Sequence, residues 1–299
     1  MNIEQLNADY GITNKAKFVE GKGGLTVIEI NNEYAQAVIS LYAGQVLSFK
    51  PVTQTQDMMF LSDQAYFQEG KAMKGGSPVC WPWFGPDPED QGRSSHGFVR
   101  NRMWSMRSLT STQDGLTQVI MGLVDTPETR AIWDYSFDLA LVITVGSSLT
   151  IELITHNTGD TAFKITQALH SYFKIGDITK VKVLGLDDKS YLDKVDHGKQ
   201  KTQTGTVTFT QECDRIYLDV PSELVIDDSA INRKIKVRAT NSKTAIVWNP
   251  WSQISANMAD LADLDYQNFV CVETANAANE IIEVPGGGEY KITANYSLS

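Results

Sequence analysis

The sequence predicts an all-β fold, a large antiparallel sandwich with a few short helices, and three observations carry that prediction. Apolar and polar residues alternate with period two in segment after segment. Turn-forming residues separate those segments. Helical patterning is short and sparse, without the long helices that a doubly wound parallel sheet needs between its strands.

Leu149, Ile151 and Leu153 alternate with Thr150 and Glu152. Ile235 and Val237 alternate with Lys234, Lys236 and Arg238, and Tyr290, Ile292 and Ala294 repeat the pattern near the end of the chain. Each segment reads as a strand with one buried face. Turns are expected at residues 20–24, 146–148, 157–160 and 285–288, where glycine, asparagine, serine and proline cluster. Short helices are expected over 63–68, 127–134 and 256–264. With no internal repeat, low-complexity tract or linker, residues 1–299 are expected to form one domain.

The formal net charge of −10 argues against a nucleic-acid or anionic-membrane surface, both of which need a basic face. A small anion is not excluded, because a few local cations can hold one. The three cysteines, Cys80, Cys213 and Cys271, are too scattered for a disulfide framework or a metal spacing and are expected as buried free thiols. The amino-terminal stretch MNIEQLNADYG has neither the basic start nor the apolar core of a signal peptide, and no apolar run is long enough to span a membrane. A cytoplasmic setting is therefore expected.

One segment stands apart. KGGSPVCWPWFGPDPEDQGRSSHGFVRN, residues 74–101, concentrates two tryptophans, four prolines and a histidine between Lys74 and Arg100. Gly75 and Gly76 suit an unusual backbone path. Trp81, Trp83 and Phe84 could stack on a ligand but are expected mainly to fill core. Asp87, Glu89 and Asp90 suggest a solvated acidic loop, with Arg93 balancing it.

Of the four histidines, His156 and His197 sit at a strand end and in a polar loop and read as solvated. His170, in Ala168-Leu169-His170-Ser171-Tyr172-Phe173, is either a satisfied core residue or a functional one. Glu273 emerges from the apolar run 269–272 into small residues. It is either paired structurally or held for proton transfer, since desolvation would push its pKa toward neutrality. Asp214 could form a local ion pair or accept hydrogen bonds from hydroxyls. No GxSxG, P-loop, GxGxxG after a strand or HExxH is present. His96 and His170 could share a metal, but no third ligand has a recognisable spacing, so no metal or other cofactor is expected.

The run Gly-Gly-Ser-Pro-Val-Cys-Trp-Pro-Trp-Phe-Gly-Pro followed by Ser-His-Gly-Phe-Val-Arg-Asn-Arg-Met-Trp resembles the hexose-6-phosphate mutarotases. These are the glucose-6-phosphate 1-epimerases of the aldose 1-epimerase, or galactose mutarotase-like, superfamily. Ala-Leu-His-Ser-Tyr-Phe, Tyr-Leu-Asp-Lys-Val, Asp-Arg-Ile-Tyr, Val-Trp-Asn-Pro and Phe-Val-Cys-Val-Glu-Thr-Ala follow in the family's order, from Leu41 to Glu273. The resemblance implies a galactose mutarotase-like β-supersandwich and an isomerase that interconverts the α and β anomers of glucose 6-phosphate. It implies that His170 is the general acid and Glu273 the general base. It carries sugar-phosphate contacts onto Lys74, Ser95 and Arg100, has Asp214 hold sugar hydroxyls, and has His96 line the site. Lys74 stands where the family usually has Arg, and Ser95 where some members have Gln. A lysine offers a point charge rather than a bidentate fork.

Two other readings compete: an epimerase of unphosphorylated aldoses, and a non-catalytic carbohydrate-binding protein on the same scaffold. A glycoside hydrolase would need two carboxylates rather than one carboxylate and one imidazole. The expected partner is a small-molecule hexose 6-phosphate, with no nucleic acid or membrane, and the chain is expected to act as a monomer or weak dimer.

Overall fold

The structure, a computed structural model, describes residues 2–299. Met1, the first residue of the amino-terminal stretch considered above, lies outside the described residues. Two eight-stranded antiparallel sheets dominate. The first runs in the order Lys199–Thr202, Ser190–Asp193, Cys213–Leu218, Thr244–Asn249, Phe269–Asn276, Gln167–Leu169, Val79–Cys80, and Tyr172–Lys174 also pairs with Phe269–Asn276. The second runs Val181–Leu184, Glu223–Asp228, Arg233–Thr240, Glu289–Leu298, Leu149–Asn157, Phe137–Val145, Thr117–Val124, Ser105–Ser111. A four-stranded sheet, Ala16–Glu20 to Gln45–Pro51, and a two-stranded one, Phe163–Ile165 with Ile282–Val284, complete the β structure.

All three alternating segments are strands. Leu149–Asn157 buries every second residue from Leu149, and its partner Glu289–Leu298 buries Ile292, Ala294 and Tyr296. These residues share one core with Val247, Val270 and Val272 of the first sheet, so the inner faces of both sheets contribute to a common interior. Polar links cross it: Trp81 Nε1 donates to Thr155 Oγ1 at 3.1 Å, and Ser77, Ser171 and Tyr296 form a chain of hydroxyls. Phe269–Asn276 is buried at all eight positions. Unbroken burial of this kind marks a strand covered on both faces, and the face turned away from the common core carries Cys271 and Glu273.

The helices depart from expectation in instructive ways. Pro127–Ile132 forms, started by a reciprocal capping box between Thr126 and Thr129. Residues 63–68 form no helix, only a turn at 63–64 followed by irregular chain, since a single-turn pattern without capping is too short to nucleate. The helix expected over 256–264 lies earlier, at Trp251–Ser255, where Pro250 precedes the first turn and Asn249 Oδ1 accepts from Trp251 N–H. An unexpected helix, Ile3–Tyr10, begins at Asn2, whose side chain accepts from Gln5 N–H. Cys80, Cys213 and Cys271 are buried free thiols, as expected.

Trp81 and Trp83 are core residues, whereas Phe84 is partly exposed. Gly76 has φ +62°, and a β-carbon there would stand 2.1 Å from the Val46 carbonyl oxygen. Gly97, φ +71°, is tighter still, with the Trp81 carbonyl oxygen 1.8 Å from that position. Only glycine fits either place. The acidic loop is less open than expected at its first residue: Asp87 accepts from the Glu89, Gln91 and Arg93 amides and pairs with the Arg93 guanidinium. Residues 88–90 remain exposed. Arg93 balances this loop, as expected, and lies 4.4 Å over the Trp83 ring.

Candidate active site

Residues opposite one another in antiparallel strands present their side chains on the same face. Asp214 is paired with Trp248, Trp248 with Cys271 and Cys271 with Tyr172, so these four form one row across the first sheet. The next row holds Ile216, Ile246 and Glu273. Cys271 and Glu273, two apart on one strand, therefore share the outer face, while Val270 and Val272 enter the core. His170 follows the strand Gln167–Leu169, its amide donating to the Pro78 carbonyl at 2.9 Å.

This placement brings His170 Nδ1 to 3.4 Å from Glu273 Oε1. Glu273 is 1% exposed and His170 8%. The contact lacks hydrogen-bond geometry: His170 Nδ1 and Glu273 Oε2 are buried without a hydrogen-bond partner. Tyr172 stacks on the imidazole at 4.9 Å and 10°, and Trp248 meets it edge-on at 6.1 Å. The ring is thus held by aromatic faces, with its nitrogens left for other work.

Across from the pair lies the 74–101 segment. The His96 ring is 5.7 Å from the His170 ring and 4.8 Å from Phe84. His96 has φ +65°, and its Nδ1 accepts from the Gly85 amide at 3.2 Å. A neutral ring accepting at Nδ1 carries its proton on Nε2. Arg100 donates to the Ser95 carbonyl at 2.9 Å and has no carboxylate partner among the described residues. The Ser95 hydroxyl donates to the Gly85 carbonyl, so Ser95 holds the turn through both its main chain and its side chain. Lys74 pairs with Asp260 at 3.5 Å and touches Met258, both from the segment after the Trp251–Ser255 helix.

Asp214 makes no ion pair among the described residues. Its neighbour Arg215 lies on the opposite face, bonded to Gln203 and stacked over Tyr191. The local ion pair open to the sequence does not form. Burial pushes the Asp214 carboxyl up to about 6. Glu273 is raised well above the ordinary carboxylate range by burial, then by the negative charge of Asp214, with Arg100 opposing. Burial drives His170 well below the usual imidazole value, and His96, Arg100 and Lys74 add to that. His96 falls to about 3, through burial first and then Arg100 and Lys74. Four residues, Lys74, His96, Arg100 and Asp214, thus act on one buried acid/base pair.

His170, Glu273, His96, Arg100, Lys74 and Asp214, all named from the sequence, surround this one site. His156, paired with Glu289 at 3.2 Å, and the exposed His197 take no part in it. The sequence reading gave no role to Cys271, Tyr172 or Trp248. Period two places Cys271 beside Glu273, but the register linking Tyr172 and Trp248 to it joins strands distant in sequence.

A broad antiparallel sandwich that holds a buried imidazole and carboxylate side by side, near an unpaired guanidinium, fits an isomerase that moves protons by general acid/base transfer. The chain belongs to the aldose 1-epimerase family, whose model matches residues 26–297. An Escherichia coli K12 protein bearing the name "Putative glucose-6-phosphate 1-epimerase" is 38% identical over 255 residues, 85% of this chain and 84% of that protein. A Cenchrus ciliaris protein of the same name is 35% identical over 260 residues, 84% of this chain and 78% of that one. The crystal structure of a Salmonella typhimurium protein described as a "putative mutarotase" superposes with a TM-score of 0.90 at 33% identity, covering 97% of this chain and 95% of that one. The galactose mutarotase-like β-sandwich is therefore the fold of this chain.

Proposed function

We propose that the protein is a hexose-6-phosphate mutarotase that interconverts the α and β anomers of glucose 6-phosphate. The buried His170–Glu273 pair at 3.4 Å, with Arg100 uncompensated nearby, carries the reading. In the pyranose, the anomeric O1 and the ring O5 are bonded to the same carbon, so an acid and a base that serve both must stand side by side. Glu273 takes the proton from O1 as His170 delivers one to O5. The C1–O5 bond breaks and the aldehyde forms. Rotation about C1–C2 turns the other carbonyl face to O5, which attacks as His170 takes back its proton and Glu273 returns one to O1. No net proton is gained or lost.

Arg100 and Lys74 would hold the phosphate, Ser95 would hold the turn that positions Arg100, Asp214 would accept from sugar hydroxyls, and His96 Nε2 would donate toward the ring. The phosphate also bears on the acid. Bound at Lys74 and Arg100, its negative charge offsets two cations that depress the His170 pKa, and so favours the imidazolium.

The reading includes a cytoplasmic setting, a monomer or weak dimer, and a single domain. The last is supported by one core cluster that draws residues from Leu6 to Tyr296. Exchange NMR tests the function: the protein is expected to accelerate α/β interconversion of glucose 6-phosphate, and absence of acceleration with both glucose 6-phosphate and glucose would sink it. One observation favours an epimerase of unphosphorylated aldoses, namely that Asp260 already engages the Lys74 charge. Faster turnover of glucose than of its 6-phosphate would establish that reading.

A further inference from the structure

Cys271 is a buried nucleophile that the proton-transfer mechanism does not use. It is 0% exposed and stands two residues before Glu273 on the same face of the same strand. One donor atom each from His170, Cys271 and Glu273 lies within 4.8 Å of the others. Two of these side chains also carry buried atoms without partners, His170 Nδ1 and Glu273 Oε2. Imidazole, thiolate and carboxylate together form the donor set preferred by a thiophilic divalent ion such as zinc.

We propose that His170, Cys271 and Glu273 form an inhibitory site for a thiophilic divalent cation of the zinc class. With bonds of about 2.0–2.3 Å from zinc to nitrogen, oxygen and sulfur, the donors of a tetrahedral site lie about 3.3–3.6 Å apart. The imidazole and carboxylate, at 3.4 Å, are already at that spacing. The sulfur completes a three-ligand face, leaving the fourth position to water on the side from which a sugar enters. Binding forms an S–metal bond and releases the thiol proton to solvent. Burial holds the thiol pKa well above its usual value, so the free protein keeps Cys271 protonated until a cation displaces the proton. Two anionic ligands and the nearby Asp214 offset the cation's repulsion from Arg100. The bound ion occupies both proton-transfer groups at once, so it competes with the sugar. The inhibition rests on the mutarotase reading, but the binding does not.

The test uses the full-length protein, purified through a chelator, with cobalt(II) as a spectroscopic probe and zinc as the inhibitor. Wild type is expected to show a sulfur-to-cobalt charge-transfer band, and zinc is expected to inhibit competitively with glucose 6-phosphate. Cys271→Ala and Cys271→Ser keep the acid/base pair and are expected to turn over at the wild-type rate. In both, the band should vanish and the zinc inhibition constant should rise at least about tenfold, because losing even an outer partner of a ligand costs 10–100-fold in affinity. A cobalt band without any epimerase activity would uphold the site and overturn the functional reading. A wild type with no sulfur-to-cobalt band, or equal zinc sensitivity in whichever cysteine variant unfolds at the wild-type temperature, would overturn the site.

Discussion

Burial pushes the Glu273 carboxyl well above the ordinary carboxylate range. A folded-state pKa above the unfolded one means that the group opposes folding as pH rises from the ordinary value toward the raised one. Glu273→Gln keeps the shape and removes this penalty, so it is expected to unfold at the same or a higher temperature at neutral pH. Its turnover should nevertheless fall about 100- to 10,000-fold, the usual contribution of one positioned proton-transfer group. His170→Ala should lose activity to a similar extent while retaining the fold, since Tyr172 and Trp248 still pack on each other at 5.9 Å. A near-normal rate in either variant, measured by exchange NMR, would refute the assignment. At this scale the sequence named the pair proposed to react and gave no role to their neighbour. Glu273 was visible as a charge leaving an apolar run, and His170 through its family context. Cys271 looked like any buried thiol; period two places it beside Glu273, but only the folded structure brings His170 within reach of both.

Strands carry Glu273 and Asp214, whereas loops braced by backbone geometry bring Lys74 and His96 to them, and two further outcomes belong to those loops. Gly97 sits against the Trp81 carbonyl, and its neighbour His96 adopts positive φ. Gly97→Ala is expected to destabilise the protein by about 1–3 kcal/mol or more, read from denaturant unfolding, through forced strain and displacement of this turn. It should also raise KM by moving His96 and Arg100; unchanged stability and KM together would show that the turn can relax. The segment after Trp251–Ser255 brings Asp260 to Lys74, and with both side chains about one-fifth exposed the pair is only partly screened. A phosphate must share Lys74 with that carboxylate. Asp260→Asn is therefore expected to lower KM for glucose 6-phosphate about two- to fivefold, the range of a modest ion pair, with KM for glucose unchanged. An increase in KM would mean that Asp260 orients Lys74 for the phosphate instead. Strands were far more legible than these loops. The alternation at Leu149, Ile151 and Leu153 is set by burial of one face, and it survives any detail of pairing. Helix limits such as 256–264 turned instead on Pro250 and a single asparagine contact, and Ile3–Tyr10 depends on one cap at Asn2. The pairing Asp214–Trp248–Cys271–Tyr172 spans four strands, and nothing in any one of them specifies it.

Taken as a whole, the molecule carries a formal charge of −10 and yet gathers Lys74 and Arg100 beside its buried acid and base. That local reversal of sign ties substrate charge to the pH dependence of turnover. Glu273 must be ionised to act as base, so the rate falls on the acid side as it takes up a proton. His170 must be protonated to act as acid, so the rate falls on the alkaline side as it loses one. The two limbs belong to the coupled pair rather than to either residue alone. Each proton gained makes the pair more positive, so a negative group placed nearby favours protonation at both steps. Glucose leaves Arg100 uncompensated and Lys74 balanced only by Asp260, whereas a sugar phosphate adds one to two negative charges beside them. Both limbs of the kcat profile, which reports the bound complex, are therefore expected at higher pH with glucose 6-phosphate than with glucose. Neutralising Arg100 as Arg100→Gln removes a cation that opposes protonation of both groups. It should move the glucose profile in the same direction and shrink the gap between the two substrates. Coincident profiles in the wild type, or limbs shifted to lower pH by the phosphate, would show that the cations bind the substrate without tuning the pair.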